Sequence, residues 1–171
     1  MTTFNAHTFA GAKRMTSVDT TRFGPLEIAD GDIITFTQPI LGFPERRRFV
    51  PVPGPPDSFL TWLQSTEDGS LAFLMMDPRA VVPGYRVNIS AHDLTELAAQ
   101  SSDELAIYTL VASGSEPDAI RTNLRAPIVI NPRQRLAKQS VLESSAYPIR
   151  HHLPSSAVTR QEEATHVGSD A

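Results

Sequence analysis

The sequence predicts an all-β (mainly β) single domain, a sandwich or barrel of short strands with one short helix near residues 91–100. Three observations predict it. Fourteen prolines against nine glycines disfavour long helices, because proline removes a backbone donor and fixes φ. The apolar runs are short, rich in β-branched and aromatic residues, and bounded by turn formers. Only one stretch spaces its apolar residues at helical intervals. With 171 residues, 40% of them hydrophobic, the chain has the size and apolar content to bury the core of one domain.

The elements follow in chain order. Residues 1–16 are polar without an apolar period and are expected to be a disordered tail, with Met1 and Met15 both open as the start. The folded domain is expected over 17–154, and 155–171, rich in Ser, Thr, Glu and Ala, is expected to be a second tail. Residues 32–37 (DIITFT) form a β-branched run between Gly31 and Pro39. Residues 48–52 (RFVPV) read as a strand that Pro51 places at an edge or ends, and 53–57 (PGPPD) as a turn. Residues 59–65 (FLTWLQS) and 71–76 (LAFLMM) flank TEDGS, the composition of a hairpin. The second run is apolar on both faces and is expected to be the most buried strand. Trp62, between apolar neighbours, is expected in the core.

Residues 85–90 (YRVNIS) alternate and read as a half-buried strand. The helix opens at Ser90 or Ala91, with Leu94, Leu97 and Ala98 at i, i+3 and i+4. Its Asp93 lies in the first turn, where the dipole favours negative charge. Residues 104–111 and 127–131 are further strands, while 134–142 fits helical and strand spacing equally. About seven to nine short strands with close turns describe a sandwich or barrel better than an α/β fold.

Composition excludes several chemistries. The chain has no cysteine, so disulfides, thiolate catalysis and Cys-based zinc sites are out, and a reducing cytoplasm fits. No apolar run approaches the roughly 18 residues of a membrane helix, and the N-terminus lacks a signal-peptide core. The net charge of −4 is uneven: residues 19–118 carry 15 acidic and 6 basic residues, a balance of −9, whereas residues 119–150 carry 6 basic and 1 acidic, a balance of +5. Such asymmetry marks either an oriented partner surface or basic residues that pair with acidic neighbours inside the fold.

No constellation organises a reaction. There is no G-x-S-x-G elbow, P-loop or G-x-G-x-x-G cradle. His151 and His152 are adjacent, so on a strand they point to opposite faces and cannot share a metal. Asp30 with Asp32, and Glu67 with Asp68, flank glycine turns where carboxylates bond their own backbone. No catalytic residue, cofactor or metal is expected. One rival class is a small RNA-binding barrel using Arg46, Arg47 and Arg48 against phosphates. The acidic body and the scarcity of aromatics argue against direct nucleic-acid binding.

Several stretches in shared order carry a resemblance. They are residues 21–24 (TRFG), 33–36 (IITF), 39–43 (PILGF), 63–65 (LQS), 71–73 (LAF) and 77–78 (DP), with Tyr85 beyond. Residues 123–131 (NLRAPIVIN), 137–139 (AKQ) and 147–151 (YPIRH) complete the set. Over residues 19–153 the chain resembles the flagellar assembly factor FliW family. It departs from the family pattern in its N-terminal extension, in Pro39 where glycine is usual and in Asp77 where asparagine is usual.

The resemblance implies a β-barrel-like fold and a strand rather than a helix at 134–142. It also implies a non-enzymatic cytoplasmic protein, a monomer, that binds newly made flagellin. In competition with flagellin, such a protein binds the translational regulator CsrA and relieves its repression of flagellin translation. Candidate partner contacts are Phe43, Pro44 and Glu45 in the loop after Gly42, where Phe43 is either an exposed anchor or a plug at the barrel end. Tyr85 is another large aromatic. Arg121 and Arg125 begin the basic segment. Read physically, NLRAPIVIN is a turn, an X-Pro step that enforces extension and an Ile-Val-Ile strand, which explains architecture without indicating a binding site.

Overall fold

The computed structural model describes residues 14–113, 119–143 and 146–154. Most of the expected N-terminal tail, and all of the expected tail at 155–171, lie outside the described residues. Met15 and Thr16 do not belong to a tail. They open β1 (Met15–Thr20), which pairs antiparallel with β2 (Gly24–Ala29) so that Met15 faces Ala29. The inward alternation of β1 begins only at Val18, so its polar first half shows no period.

Seven strands close a barrel: β3 (Ile34–Phe36), β4 (Arg48–Pro53), β5 (Leu60–Ser65), β6 (Ala72–Met76), β7 (Ala106–Ser113), β9 (Ile128–Asn131) and β10 (Leu136–Gln139). Every pairing is antiparallel except the closing one, β10 with β3. Closure removes the free edges that an open sheet would expose. β7 is long enough to fork. Ala106–Tyr108 pair with β9, while Val111–Ser113 pair with β8 (Ile120–Thr122), to which β11 (His151–His152) is added. At the fork the buried hydroxyls of Thr109 and Thr122 lie 2.7 Å apart.

The β5–β6 hairpin forms as its composition predicts, and residues 136–139 are strand. β4 pairs with β3 only through Arg48 and Phe49, so Pro51 sits on a stretch with an open edge, where a missing N–H costs no ladder bond. The core joins Ile34, Phe36, Phe49, Leu63, Met75, Ile128 and Ile130.

Four expectations are corrected. β9, not β6, is the most buried strand: all four of its residues are buried, whereas Ala72, Phe73 and Leu74 are half-buried. Ile128 and Ile130 face the core, and the opposite face is covered as well, since Asn131 Nδ2 donates to the carbonyl of fully buried Leu97. Trp62 is not core. Leu63 takes the inward position, so the two-residue period puts Trp62 outside, edge-on to Phe23 at 6.0 Å and under the Arg22 guanidinium at 4.1 Å.

Residues 85–90 form no strand. The Arg86 N–H goes to Tyr147 Oη at 3.1 Å instead of a ladder partner, so the alternation there reports facing without pairing. The helix α1 (Ala91–Glu96) starts as expected but is shorter. Ser90 and Asp93 form a capping box at its start. At its end Ala98 turns to φ +52° and releases the Leu97 carbonyl to Asn131.

Candidate functional site

The family-like segment 123–131 uses its polar groups for architecture. Asn123 Oδ1 accepts from the N–H groups of Arg125 and Ala126, and Asn131 Oδ1 does the same for Arg133 and Gln134. Each asparagine thus closes an Asx turn at one end of β9. Tyr85 Oη donates to the Leu124 carbonyl at 2.6 Å, Arg125 Nε donates to the Tyr147 carbonyl at 2.9 Å, and the Tyr85 and Tyr147 rings stack at 4.5 Å. Tyr85 is 5% exposed, and burial raises its phenol above the ordinary range. The sequence offers Tyr85 as a partner contact; the structure buries it and bonds it to the segment between β8 and β9. Arg121 lies half-buried on β8, opposite Ala112 of β7.

Phe43, Pro44 and Glu45 do come together. They follow Ile40, which caps the core, in a pair of turns closed by Phe43 N to Ile40 O and Arg46 N to Phe43 O. Gly42 between them has φ +91°, a conformation that glycine adopts at little cost. The loop borders a shallow cavity of about 320 Å³ shared with Asp68, Ser70 and Leu71 of the β5–β6 turn.

Phe43 lies between the two placements anticipated for it, partly exposed and partly packed inward. It is 36% exposed, and its inner edge meets Phe73 at 4.9 Å. Phe73 in turn meets Phe49, and Phe49 meets Phe36, so a relay of rings runs from the core to the surface. Leu41, at 66% exposed, widens the apolar patch. Sequence reasoning passed over it, although its place beside Gly42 is the same signal that picked out Phe43.

The loop is held by neighbours that sequence could not identify. Glu67 Oε1 accepts from the backbone N–H of Arg47 and of Arg48. Burial alone would raise the Glu67 carboxyl, but those two N–H groups and the charges of Arg48 and Arg46 outweigh it and hold it below its ordinary value. Gln139 Oε1 accepts from Leu41 N while its Nε2 donates to Ala126 O, tying the loop to the 123–131 segment.

Two members of the arginine triplet are engaged through their side chains. Arg46 lies 3.7 Å from Asp68, and Arg47 donates to the Thr37 carbonyl. Asp68 also caps its own turn, accepting from Ser70 N and Oγ. Of the basic segment, Arg135 pairs with Asp32 at 3.8 Å, and Lys138 bridges Asp93 (2.7 Å) and Glu96 (2.8 Å). Part of the charge asymmetry, two of the six basic residues of 119–150, is therefore internal pairing. His151 and His152 face Thr122 and Arg121 across a regular ladder. Among the described residues no group of three or more His, Asp or Glu side chains is placed to hold a metal ion.

The model of the FliW protein family matches residues 17–153. The flagellar assembly factor FliW of Moorella thermoacetica is 40% identical over 140 residues, covering 80% of this chain and 87% of that protein. That of Geobacter sulfurreducens is 38% identical over 135 residues, covering 79% and 84%. A crystal structure of the flagellar assembly factor FliW superposes with a TM-score of 0.74 at 31% identity, covering 80% of this chain and 96% of that one. The chain belongs to the FliW family of flagellar assembly factors.

Proposed function

We propose that this flagellar assembly factor acts in the cytoplasm as a non-catalytic, monomeric partner switch. It binds newly made flagellin and, in competition, the translational regulator CsrA, so that export of flagellin frees it to relieve repression of flagellin translation. The switch needs no chemical step: it works through a difference of affinities between two partners. A coupling of about 1–3 kcal/mol between them gives a several-fold to hundred-fold response.

The observation that carries the reading is the Leu41–Phe43 patch, exposed apolar side chains fixed on a braced loop in a chain of this family. Phe43 and Pro44 supply apolar area and Glu45, at 83% side-chain exposure, supplies a charge at the rim. Aromatic anchors in such settings tend to dominate binding energy. The −9 balance of residues 19–118 suits a basic partner such as an RNA-binding regulator. Arg121 and Arg125 are the second candidate neighbourhood, with Arg125 held by the carbonyl of Tyr147, whose ring packs against Tyr85.

The test is co-purification of the full chain with the cell's own flagellin and, separately, with CsrA. Micromolar or tighter binding of each, with flagellin displacing CsrA, is expected. Absence of binding to both at micromolar concentrations ends this reading.

A further inference from the structure

A cleft of about 790 Å³ runs between the connection 85–89 and the start of β7. Val87 and Ile89 line one side, and Leu105 and Ile107 the other. Its volume is within the range of peptide- and ligand-sized sites. The connection has the alternating pattern of a strand and yet joins no ladder. Val87, Asn88 and Ile89 make no hydrogen bond to any described residue. The residues on both sides do: Arg86 N donates to Tyr147 Oη, and Ser90 N to the Asp93 carboxylate. Three successive residues thus present N–H and C=O groups, without partners among the described residues, beside a cleft whose four aliphatic side chains are set among the polar and charged Arg86, Asn88, Ser102 and Asp103.

Main-chain donors and acceptors alternating at strand pitch are matched by another main chain, which is the chemistry of strand addition. We propose that an extended segment of a partner polypeptide docks in this cleft by pairing its backbone with residues 87–89. Four residues of such a segment span about 13 Å. Its alternate side chains are apolar, seated between Val87 and Ile89 on one wall and Leu105 and Ile107 on the other. One acidic side chain meets Arg86, whose guanidinium has no ion-pair partner among the described residues. Asp103 on the far rim disfavours a wholly acidic segment. This surface is separate from the Leu41–Phe43 loop, and the inference stands whether or not flagellin and CsrA are the partners.

The experiment is selection of linear peptides from a random phage-displayed library on the full chain, followed by amide exchange with the selected peptides. The variants Asn88→Pro and Ile89→Pro are used in parallel. Neighbouring N–H groups of an extended chain point to opposite edges, so one of the two variants removes a donor from the pairing edge. Selected peptides are expected to alternate apolar residues around one acid and to slow exchange of those amides within 87–89 that face the pairing edge at least about tenfold. One proline variant is expected to lose binding by about tenfold or more, with its thermal midpoint close to that of the parent chain. Arg86→Glu, a surface change that leaves the backbone intact, is expected to weaken the same peptides and to select ones with a basic residue instead. The proposal is overturned if no selected peptide protects 87–89, or if binding is indifferent to both proline variants and to Arg86→Glu. Loss of flagellin binding in the co-purification would leave this result untouched, so the two failures are distinguishable.

Discussion

Oε1 of Glu67 lies 2.7 Å from the backbone nitrogen of Arg48. The same oxygen is 2.8 Å from the nitrogen of Arg47. One carboxylate in the β5–β6 turn therefore clamps the end of the loop that carries Phe43 and Pro44. Hydrogen bonds to a charged acceptor contribute about 1.5–3 kcal/mol. Glu67 is solvent-exposed, so Glu67→Ala is expected to cost about 1.5 kcal/mol in urea denaturation, the low end of that range. Because the folded protein depresses this carboxyl below 4.5, the stabilisation is complete above that pH and is lost as pH falls. The difference between parent and Glu67→Ala should therefore shrink on acidification, and a difference that grows would refute the clamp.

The Gln64 amide nitrogen sits among four backbone carbonyls of the β5–β6 turn. This Nε2 is 3.0 Å from the carbonyls of Ser65 and Leu71 and 3.3–3.4 Å from those of Gly69 and Asp68. The side chain is fully buried. Only an N–H donor is tolerated among four carbonyls, which also fixes the orientation of the amide. Gln64→Met leaves those carbonyls short of donors and should cost about 1–3 kcal/mol. Gln64→Glu adds negative charge to the same cluster and should be the worse of the two by thermal unfolding. Equal effects would mean that the carbonyls do not set the preference.

Gly69, in the same turn, is needed for close approach. A Cβ there would lie 1.9 Å from the Asp19 carbonyl oxygen, which also belongs to the β1–β2 hairpin. Gly69→Ala must push that hairpin away and is expected to cost about 1–3 kcal/mol, as overpacking does. At Gly31 an added Cβ meets nothing within 4 Å, so Gly31→Ala should be near neutral. A urea midpoint that moves equally in both variants would rule out the clash as the cause.

Lys138 makes a different kind of tie, one that joins α1 to the barrel. Burial would depress its ammonium, but Asp93 and Glu96 outweigh that and hold it above 10.5. Lys138 lowers Glu96 below 4.5, helped by the Thr37 and Gln38 side chains against the effect of burial. For Asp93, burial pushes upward and Lys138 with Ser90 prevail, so it sits below 3.8. Depressed carboxyls stabilise above their unfolded values, and a raised lysine stabilises below its own. The triad is therefore at full strength from about pH 5 to pH 10 and is lost towards both extremes. Lys138→Met leaves two carboxylates facing each other and should cost about 3 kcal/mol at pH 7. Less of that loss should remain at pH 3, below the ordinary values of both carboxyls; a loss undiminished at that pH would exclude the ionic tie.

What could be read in the sequence and what could not divide along a physical line. Local signals were legible: the helix start at Ser90 or Ala91 with Asp93 in the first turn, the TEDGS hairpin and the Pro-Ile-Val-Ile extension all act within a few residues. Relationships across the chain were not. Nothing in the sequence says that Tyr85 will find the Leu124 carbonyl, 39 positions away, or that β10 will close on β3 in parallel. Trp62 is misplaced by the sequence reading because residues 59–65 put large apolar side chains on both alternating faces (Leu60 and Trp62 on one, Phe59 and Leu63 on the other), so alternation does not say which side faces inward. At 85–90 the alternation was read correctly as facing and wrongly as pairing. In the candidate site, Phe43 was visible because its loop is marked by Gly42 and Pro44. Glu67 and Gln139, which brace that loop, were invisible because their roles exist only after folding.

Phe43 offers the sharpest test of the docking loop, because its two roles have different readouts. Its contact with Phe73 at 4.9 Å is an edge-on aromatic pair, of the kind that contributes about 0.5–1.5 kcal/mol. Phe43→Ala should therefore lower stability by about 1 kcal/mol. If the exposed edge is an anchor for flagellin, affinity should fall further than that loss explains, by about 30-fold, equivalent to 2 kcal/mol at a buried aromatic anchor. Leu41→Ala separates the roles. Leu41 is mostly exposed, so this change should leave stability within about 0.5 kcal/mol and still weaken binding. Calorimetry of flagellin binding to both variants, beside their thermal midpoints, decides the matter. Binding unchanged in Leu41→Ala and reduced in Phe43→Ala only in step with stability would assign Phe43 to the end of the core and move the partner surface elsewhere.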